Sequence, residues 1–390
     1  MTARRSASLL VCLLAACLSS SQSNLPKHPP LPVGKLTAGR DMTVARAGHT
    51  ATTLPNFTVL IAGGRDEHGV ILSSTEVYDP NTEKFTKAGK MSVPRAGHIA
   101  AVLEDAKIII AGGVTQGGAV LASSEDYDYE TGKFTVRGNM HARRVHMTAT
   151  TLRDGRILVT GGDDGTQPLA SAETYDVLTG KWTLVGKMTA ARAHHSATRL
   201  SDGRVLIAGG TGVRHAVLAS AEVFDPKTNQ FSAVANLHQA RYGHTSALLT
   251  TGKVFIAGGA SGPGAANALA SAEIYDPQTG AFTPAGTLPG QKMPGREMPG
   301  QEMPGQEMND PRAKLPESVR LLDGRVLIVG GAASVEIYDP RAATFTATSG
   351  SLDTARFNLA TIQLMDGSTR IFGGADSKGV STAKTWIYRP

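Results

Sequence analysis

The sequence predicts an all-β fold, a seven-bladed β-propeller of four-stranded antiparallel blades whose ring is closed by an N-terminal strand. Three observations predict it. A Gly-Gly pair recurs at 63–64, 112–113, 161–162, 209–210, 258–259, 330–331 and 373–374, the first five 48 or 49 residues apart. Four short segments rich in β-branched and aromatic residues surround each pair, as strands would and long helices would not. The last repeat stops at Tyr388-Arg389-Pro390 without a fourth segment, whereas Leu36–Met42 matches the fourth segment of the first repeat, Phe85–Met91.

In the first repeat, segment a runs from Arg46 through His49 to Leu54, and segment b is Thr58–Ala62, ending in Gly63-Gly64. Segment c is Thr75–Asp79 and segment d is Lys84–Lys87. Asp-Gly pairs (154–155, 202–203, 323–324, 366–367) stand between a and b, where a tight hairpin turn favours them. Between c and d lies Asp276-Pro277-Gln278-Thr279-Gly280 or its equivalent, in which Asp bonds its own backbone, Pro presets φ and Gly supplies a positive φ. Small residues in segment a suit the crowded axis. The Phe or Trp that begins segment d (Phe85, Phe134, Trp182, Phe231, Phe282, Phe345) suits the wide rim of a wedge. Such meanders bury both faces only by stacking radially.

Residues 1–16 read as an export signal: Arg4 and Arg5, then an apolar stretch from Leu9 to Ala16 too short to span a bilayer. Leu14-Ala15-Ala16-Cys17 resembles the lipobox of bacterial lipoproteins, which implies acylation of Cys17 and a membrane anchor. Leu18, in place of the Asp associated with inner-membrane retention, favours the outer membrane of a two-membraned cell. Residues 17–33 then form a polar, proline-stiffened tether, and 34–390 the propeller. Cys12 and Cys17 are the only cysteines, so the propeller has no disulfide, thiolate metal site or cysteine nucleophile. The charge of +6 comes from 39 basic and 33 acidic residues interspersed along the chain, a mildly basic solvated surface rather than a nucleic-acid footprint.

Arg-x-x-His, Gly-Gly, Tyr-Asp-Pro and Phe or Trp, repeated in register over residues 36 to 390, resemble the Kelch repeat. The variant His195–Gly210 is similar to bacterial secreted Kelch proteins and to the propeller of galactose oxidase. Galactose-oxidase copper chemistry needs a tyrosine cross-linked to a cysteine, and no propeller cysteine exists to supply it. The resemblance therefore implies a binding or scaffold module without cofactor. A carbohydrate-active enzyme such as a sugar mutarotase is the alternative, but it needs a convergent acid–base pair and no carboxylate recurs on segment a.

His49, His98, His146, His195 and His244 read as equivalent positions, either a metal ring or side chains bonding backbone within their own blades. Symmetry spreads equivalent residues around a ring instead of converging them on one ion, which argues against metal. Arg46, Arg95, Arg143, Arg192, Arg241, Arg312 and Arg356 read first as structural, their forks bonding carbonyls or a neighbour's c-strand carboxylate. At the axial mouth they would instead favour an anion. The b–c loops vary most, and variable loops on a rigid scaffold are where recognition sits. Arg65, Asp66, His68, Asp163, Asp164, Arg214 and His215 are the candidate contacts there, for an envelope glycan or protein partner of a monomeric propeller. Four Gly-x-x-Met units fill 290–309, before a repeat six in which Leu315 replaces the histidine, as Leu359 does in repeat seven. The composition of this insertion reads as disordered, either a repeat-expansion accident or a partner-binding arm.

Overall fold

The second strand of every repeat is buried from end to end. This holds for Val59–Ala62, Ile108–Ala111, Ile157–Thr160, Val205–Ala208, Val254–Ala257, Val326–Val329 and Thr369–Phe372. A strand buried on both faces needs a layer on each, and each Val, Leu or Ile so buried stabilises by about 1.5–3 kcal/mol. Neighbouring repeats are those layers.

The computed structural model describes residues 31–263, 265–285 and 316–390. The expected export signal, Cys17, most of the expected tether, the 290–309 insertion, Arg312 and Leu315 lie outside the described residues. Val33–Pro390 forms one unit. Within it, five sheets are four-stranded meanders in simple order, the first being Thr50–Thr53, Val59–Ala62, Ser74–Asp79 and Lys84–Lys90. These are blades one to five, with strands a to d running outward from the axis. Blade six is Glu317–Arg320, Val326–Val329, Ser334–Asp339 and Thr344–Ser351.

Blade seven takes three strands from the C-terminus, Ala360–Gln363, Thr369–Phe372 and Thr385–Arg389. Its outer strand is Lys35–Ala38, antiparallel to the third, with Lys35 opposite Arg389 and Ala38 opposite Trp386. A single parallel bridge, Lys35 to Ser349, ties this strand to blade six. Leu36 opposes Tyr388 as Phe85 opposes Tyr78. In blades one to six that site is an aromatic pair with ring centroids 4.8–5.0 Å apart. The expected latch is therefore the one observed.

Among the described residues seven apolar clusters fill the seams between consecutive blades, not the blades themselves. The closing seam joins Met42, Val59, Ile61 and Tyr78 to Leu364 and Phe372 of blade seven. Its backbone chemistry repeats that of the others: Gly374 N–H donates to the Arg46 carbonyl at 2.8 Å, as Gly64 N–H does to Arg95 at 2.9 Å. This approach explains the glycine pairs. A Cβ on Gly63 would lie 2.4 Å from the Arg95 carbonyl oxygen of the next blade, and Gly63 has φ +61°.

The a–b and c–d turns share one face of the ring. Arg156, in the a–b turn of blade three, reaches the Pro226 carbonyl and Asn229 in the c–d turn of blade four. The b–c loops and d–a connections share the opposite face.

Candidate functional site

Among the described residues five fully buried arginines precede the inner strands, and they face into the blades instead of lining the mouth. Arg46 donates from Nη1 to the carbonyls of Gly63 and Ser74, from Nη2 to Ser74 Oγ and from Nε to Glu76 Oε1 at 2.9 Å. Arg95, Arg144, Arg192 and Arg241 make the same bonds to the carbonyls and serine, but it is Nη2 that meets Glu125, Glu173, Glu222 and Glu273, at 2.8–3.0 Å. The carboxylate belongs to the same blade, not to a neighbour as expected. Its second oxygen accepts the backbone N–H of Thr43, Ser92, His141, Thr189 or His238. All five guanidiniums are excluded from water and paired with a carboxylate, Nε of Arg95, Arg192 and Arg241 being left without a hydrogen bond, so the expectation of a positive axial mouth from Arg46, Arg95, Arg192 and Arg241 is corrected. In blade three the buried residue is Arg144, and Arg143 is exposed. The missed signal was spacing: each clasp joins an arginine to the glycine 17 residues later, and Arg143 is 18 from Gly161. Blade seven has Trp386 in the glutamate position, opposite Ile371. Arg356 turns to Asp353 instead, at 2.8 Å, and holds that carboxyl down at about 2.

The register correction also moves a histidine. His49, His98, His195 and His244 are equivalent and buried, Met147 takes the place in blade three, and His146 falls one residue earlier. Burial, aided by the adjacent arginine, pushes His49, His98 and His244 down to about 3 and His195 well below 6.5. These are neutral structural side chains. The expected bond to backbone of the same blade is secondary, because Nδ1 of His98, His195 and His244 makes no well-formed hydrogen bond. The arginine carbonyl nearby only offsets part of the depression. Nε2 instead reaches the preceding blade, at Thr50 Oγ1 (3.1 Å), Thr148 Oγ1 (3.0 Å) and Ser196 Oγ (2.9 Å). Under His49 the equivalent residue is Ala360, which has no hydroxyl, and both ring nitrogens stay unbonded.

Above these clasps, Gly48, Gly97, His146, His194, Gly243 and Asn358 ring the axis, all with φ between +54° and +66°. Backbone bonds link neighbours: Gly97 N–H to Gly48, His194 to His146, Gly243 to His194 and Gly48 to Asn358, at 2.8–3.1 Å. A positive φ suits glycine and costs about 1–2 kcal/mol for most other residues. Two successive blades nevertheless carry histidine here. The rings of His146 and His194 stack with centroids 3.9 Å apart and planes 27° apart, and Tyr242 meets His194 edge-on at 6.3 Å. His146 is exposed at the mouth, while His194 and Tyr242 are half-buried. Loss of hydration holds His146 below 6.5, against the opposing pull of the Asp163 charge. Strained residues that present a stacked imidazole pair at the mouth mark a site.

Of the loop residues expected to bind, Asp163 lies close enough to His146 for its charge to act on that ring, with its Oδ1 accepting Gly165 N–H at 2.7 Å. Asp66 and Asp164 are committed to their own turns, accepting N–H of His68 and Val70, and of Thr166 and Gln167. Arg65 and His68 in blade one are exposed, as are Arg214 and His215 in a short 3₁₀ turn of blade four. No hydrogen bond or ion pair brings those four side chains to the mouth among the described residues. The sequence reading passed over His194, Tyr242 and Glu317. Glu317 opens the inner strand of blade six, where other blades place Thr50, Thr148 or Ser196 beneath a histidine. It touches channel solvent but is walled by protein, and desolvation pushes its carboxyl up to about 7. A cavity of about 410 Å³ between blades four and five, lined by Asp202, Lys253 and Asp276, lies on the opposite face. Among the described residues no three His, Cys, Asp or Glu side chains converge as metal ligands would.

The KLHDC2/KLHL20/DRC7 Kelch-repeats domain family matches residues 48–259, and the Kelch motif matches 241–289. No curated protein matches the chain. A solved structure of a fungal alcohol oxidase with catalytic diversity among the AA5 family, in complex with copper, is similar at 18% identity with TM-score 0.70. The similarity covers 92% of this chain and 76% of that one, and at this identity it shows the fold alone.

Proposed function

The chain belongs to the Kelch-repeat family, and on that premise we propose that it is a binding module whose ligand docks at the axial mouth of the b–c loop face. The observation that carries the reading is the stacked His146–His194 pair beside Tyr242, held on positive-φ backbone that glycine would occupy at less cost. Imidazoles and a phenol offer flat π surfaces with polar edges. Asp163 supplies an acceptor near His146, and the exposed Arg143, three residues before it in the chain, carries a donor fork. That combination suits a glycan, whose ring stacks through C–H groups while its hydroxyls bond the rim. An envelope glycan is the preferred ligand and a partner protein the next. A lipid on Cys17 would hold the module at the membrane.

The test is a binding screen of the full chain against glycans and envelope extracts, repeated with His146→Ala and His194→Ala. Each substitution is expected to weaken binding of any hit about tenfold or more, the loss of roughly 1.4 kcal/mol. Undiminished binding by both variants would sink the mouth as the site. A carbohydrate-active enzyme is the second reading, favoured by Glu317, whose near-neutral carboxyl suits proton transfer. Mutarotation assays of the chain and of Glu317→Gln decide it, since an acid–base role demands activity that the variant loses.

A further inference from the structure

The a–b turn face carries a feature that binding at the opposite mouth does not use. The first residue of each a–b turn is polar in blades two to five but is Leu322, Met365 and Pro55 in blades six, seven and one. Leu322 is 74% exposed and Met365 81%. Each such residue lies over the turn of the following blade: a Cβ on Gly367 would sit 3.2 Å from Leu322 Cδ1. In blade one the turn glycine is replaced by Phe57, with φ +66° and 58% exposed, so the repeat sets Met365 beside an open aromatic ring. Single exposed apolar residues are ordinary, whereas an arc across three consecutive blades is not.

The flanks of the arc carry both signs, and among the described residues Asp366 and Asp79 accept only from their own turns. Asp323, Asp339 and Glu83 are each held by arginine, from Arg325, Arg341 and Arg370 with Arg389. Lys35, Lys84 and Arg320 have no carboxylate partner among the described residues. Lys35 opens the outer strand of blade seven opposite Arg389, on this face and in the middle blade of the arc. The outer strand of blade seven thus begins on the face that carries the apolar side chains.

We infer that this face docks on an anionic lipid surface, with Leu322, Met365, Pro55 and Phe57 entering the headgroup layer and the free cations meeting lipid phosphates. Protruding apolar turn tips flanked by basic residues have the chemistry of interfacial membrane contacts. The ligand mouth then points away from the bilayer. This inference stands apart from the ligand reading, since the two use opposite faces.

The experiment uses the full chain with Cys17→Ser, which cannot be acylated, and phosphatidylglycerol-containing vesicles in flotation assays. Adding Phe57→Ser, Leu322→Ser and Met365→Ser is expected to lower the bound fraction about tenfold. Val70→Ser with Val213→Ser, on the loop face, serves as the control and leaves it unchanged. An environment-sensitive dye on Met365→Cys, with Cys12→Ser also present, shifts to the blue on vesicle addition, and the same dye on Val213→Cys does not. Equal flotation of the triple variant and its parent overturns the inference, as does a blue shift at both dye positions. So does an arc variant that loses self-association in sedimentation while vesicle binding stays constant. Unchanged melting temperatures confirm that the variants are folded.

Discussion

Removing the Arg192 side chain would leave the Glu222 carboxylate buried without its cation, together with two carbonyls that had accepted from the same fork. Breaking such a pair from one side costs about 3–5 kcal/mol, although the intact pair contributes far less than that. Arg192→Met and Arg144→Met are therefore expected to lower the denaturant midpoint severely. Arg143→Met, on an exposed residue, is expected to stay within about 0.5 kcal/mol of the parent. Equal effects at 143 and 144 would refute the register. This detail was within reach of the sequence, because the 17-residue spacing to the glycine is arithmetic. The fates of the side chains were not, since a buried fork and a solvent-facing one share the same letter. The neutral histidines predict acid lability. The unfolded chain takes up protons at these sites below about pH 6.5, while folded His98 and His244 do so only near 3. Stability is full above about 6.5 and declines as pH falls toward 3, by about 1.4 kcal/mol per unit for each histidine. His98→Gln should flatten the slope of unfolding free energy against pH in that window, and an unaltered slope would rule out this site as a source.

Strands and turns were legible because repetition supplied seven readings of each. Tyr78 facing Phe85 and Leu36 facing Tyr388 follow from the period alone. What the repeat could not reveal is which glycines answer to backbone shape and which to a neighbour. Gly132 has φ +69° with nothing within 4 Å of an added Cβ, whereas Gly63 meets the next blade's carbonyl. Both alanine variants are strained by φ, but only Gly63→Ala also overpacks a seam, adding about 1–3 kcal/mol. Chemical denaturation of the two variants measures the difference. The b–c loops resisted reading for a related reason. Asp66 and Asp164 look like free carboxylates in the sequence, and only the folded loop shows them satisfied by their own backbone.

Across the whole molecule the apolar clusters bridge blades, so no blade is stable apart from its neighbours. Removing residues through Asp41 would uncover Tyr388 and Ile387 and take away the Leu36 contact of the blade six–seven core. A lower melting temperature and a broader transition by calorimetry are expected, and an unchanged thermogram would count against the latch. The axial site was the least legible part. Its members come from successive repeats nearly fifty residues apart, and their convergence depends on how tightly the ring curves, which no single repeat encodes.

The closing bond between Gly374 and Arg46 is chemically the same as the bond between Gly64 and Arg95. The fold therefore has no privileged point of entry. Arg389 already lies opposite Lys35, the geometry of the two ends of a c–d hairpin. A short Asp-Pro-x-Thr-Gly turn joining them, with the chain reopened in another connection, would yield a circular permutant having the same seven seams. In it the ring would fold as before, while the termini, and anything fused to them, would leave from a blade of the designer's choosing.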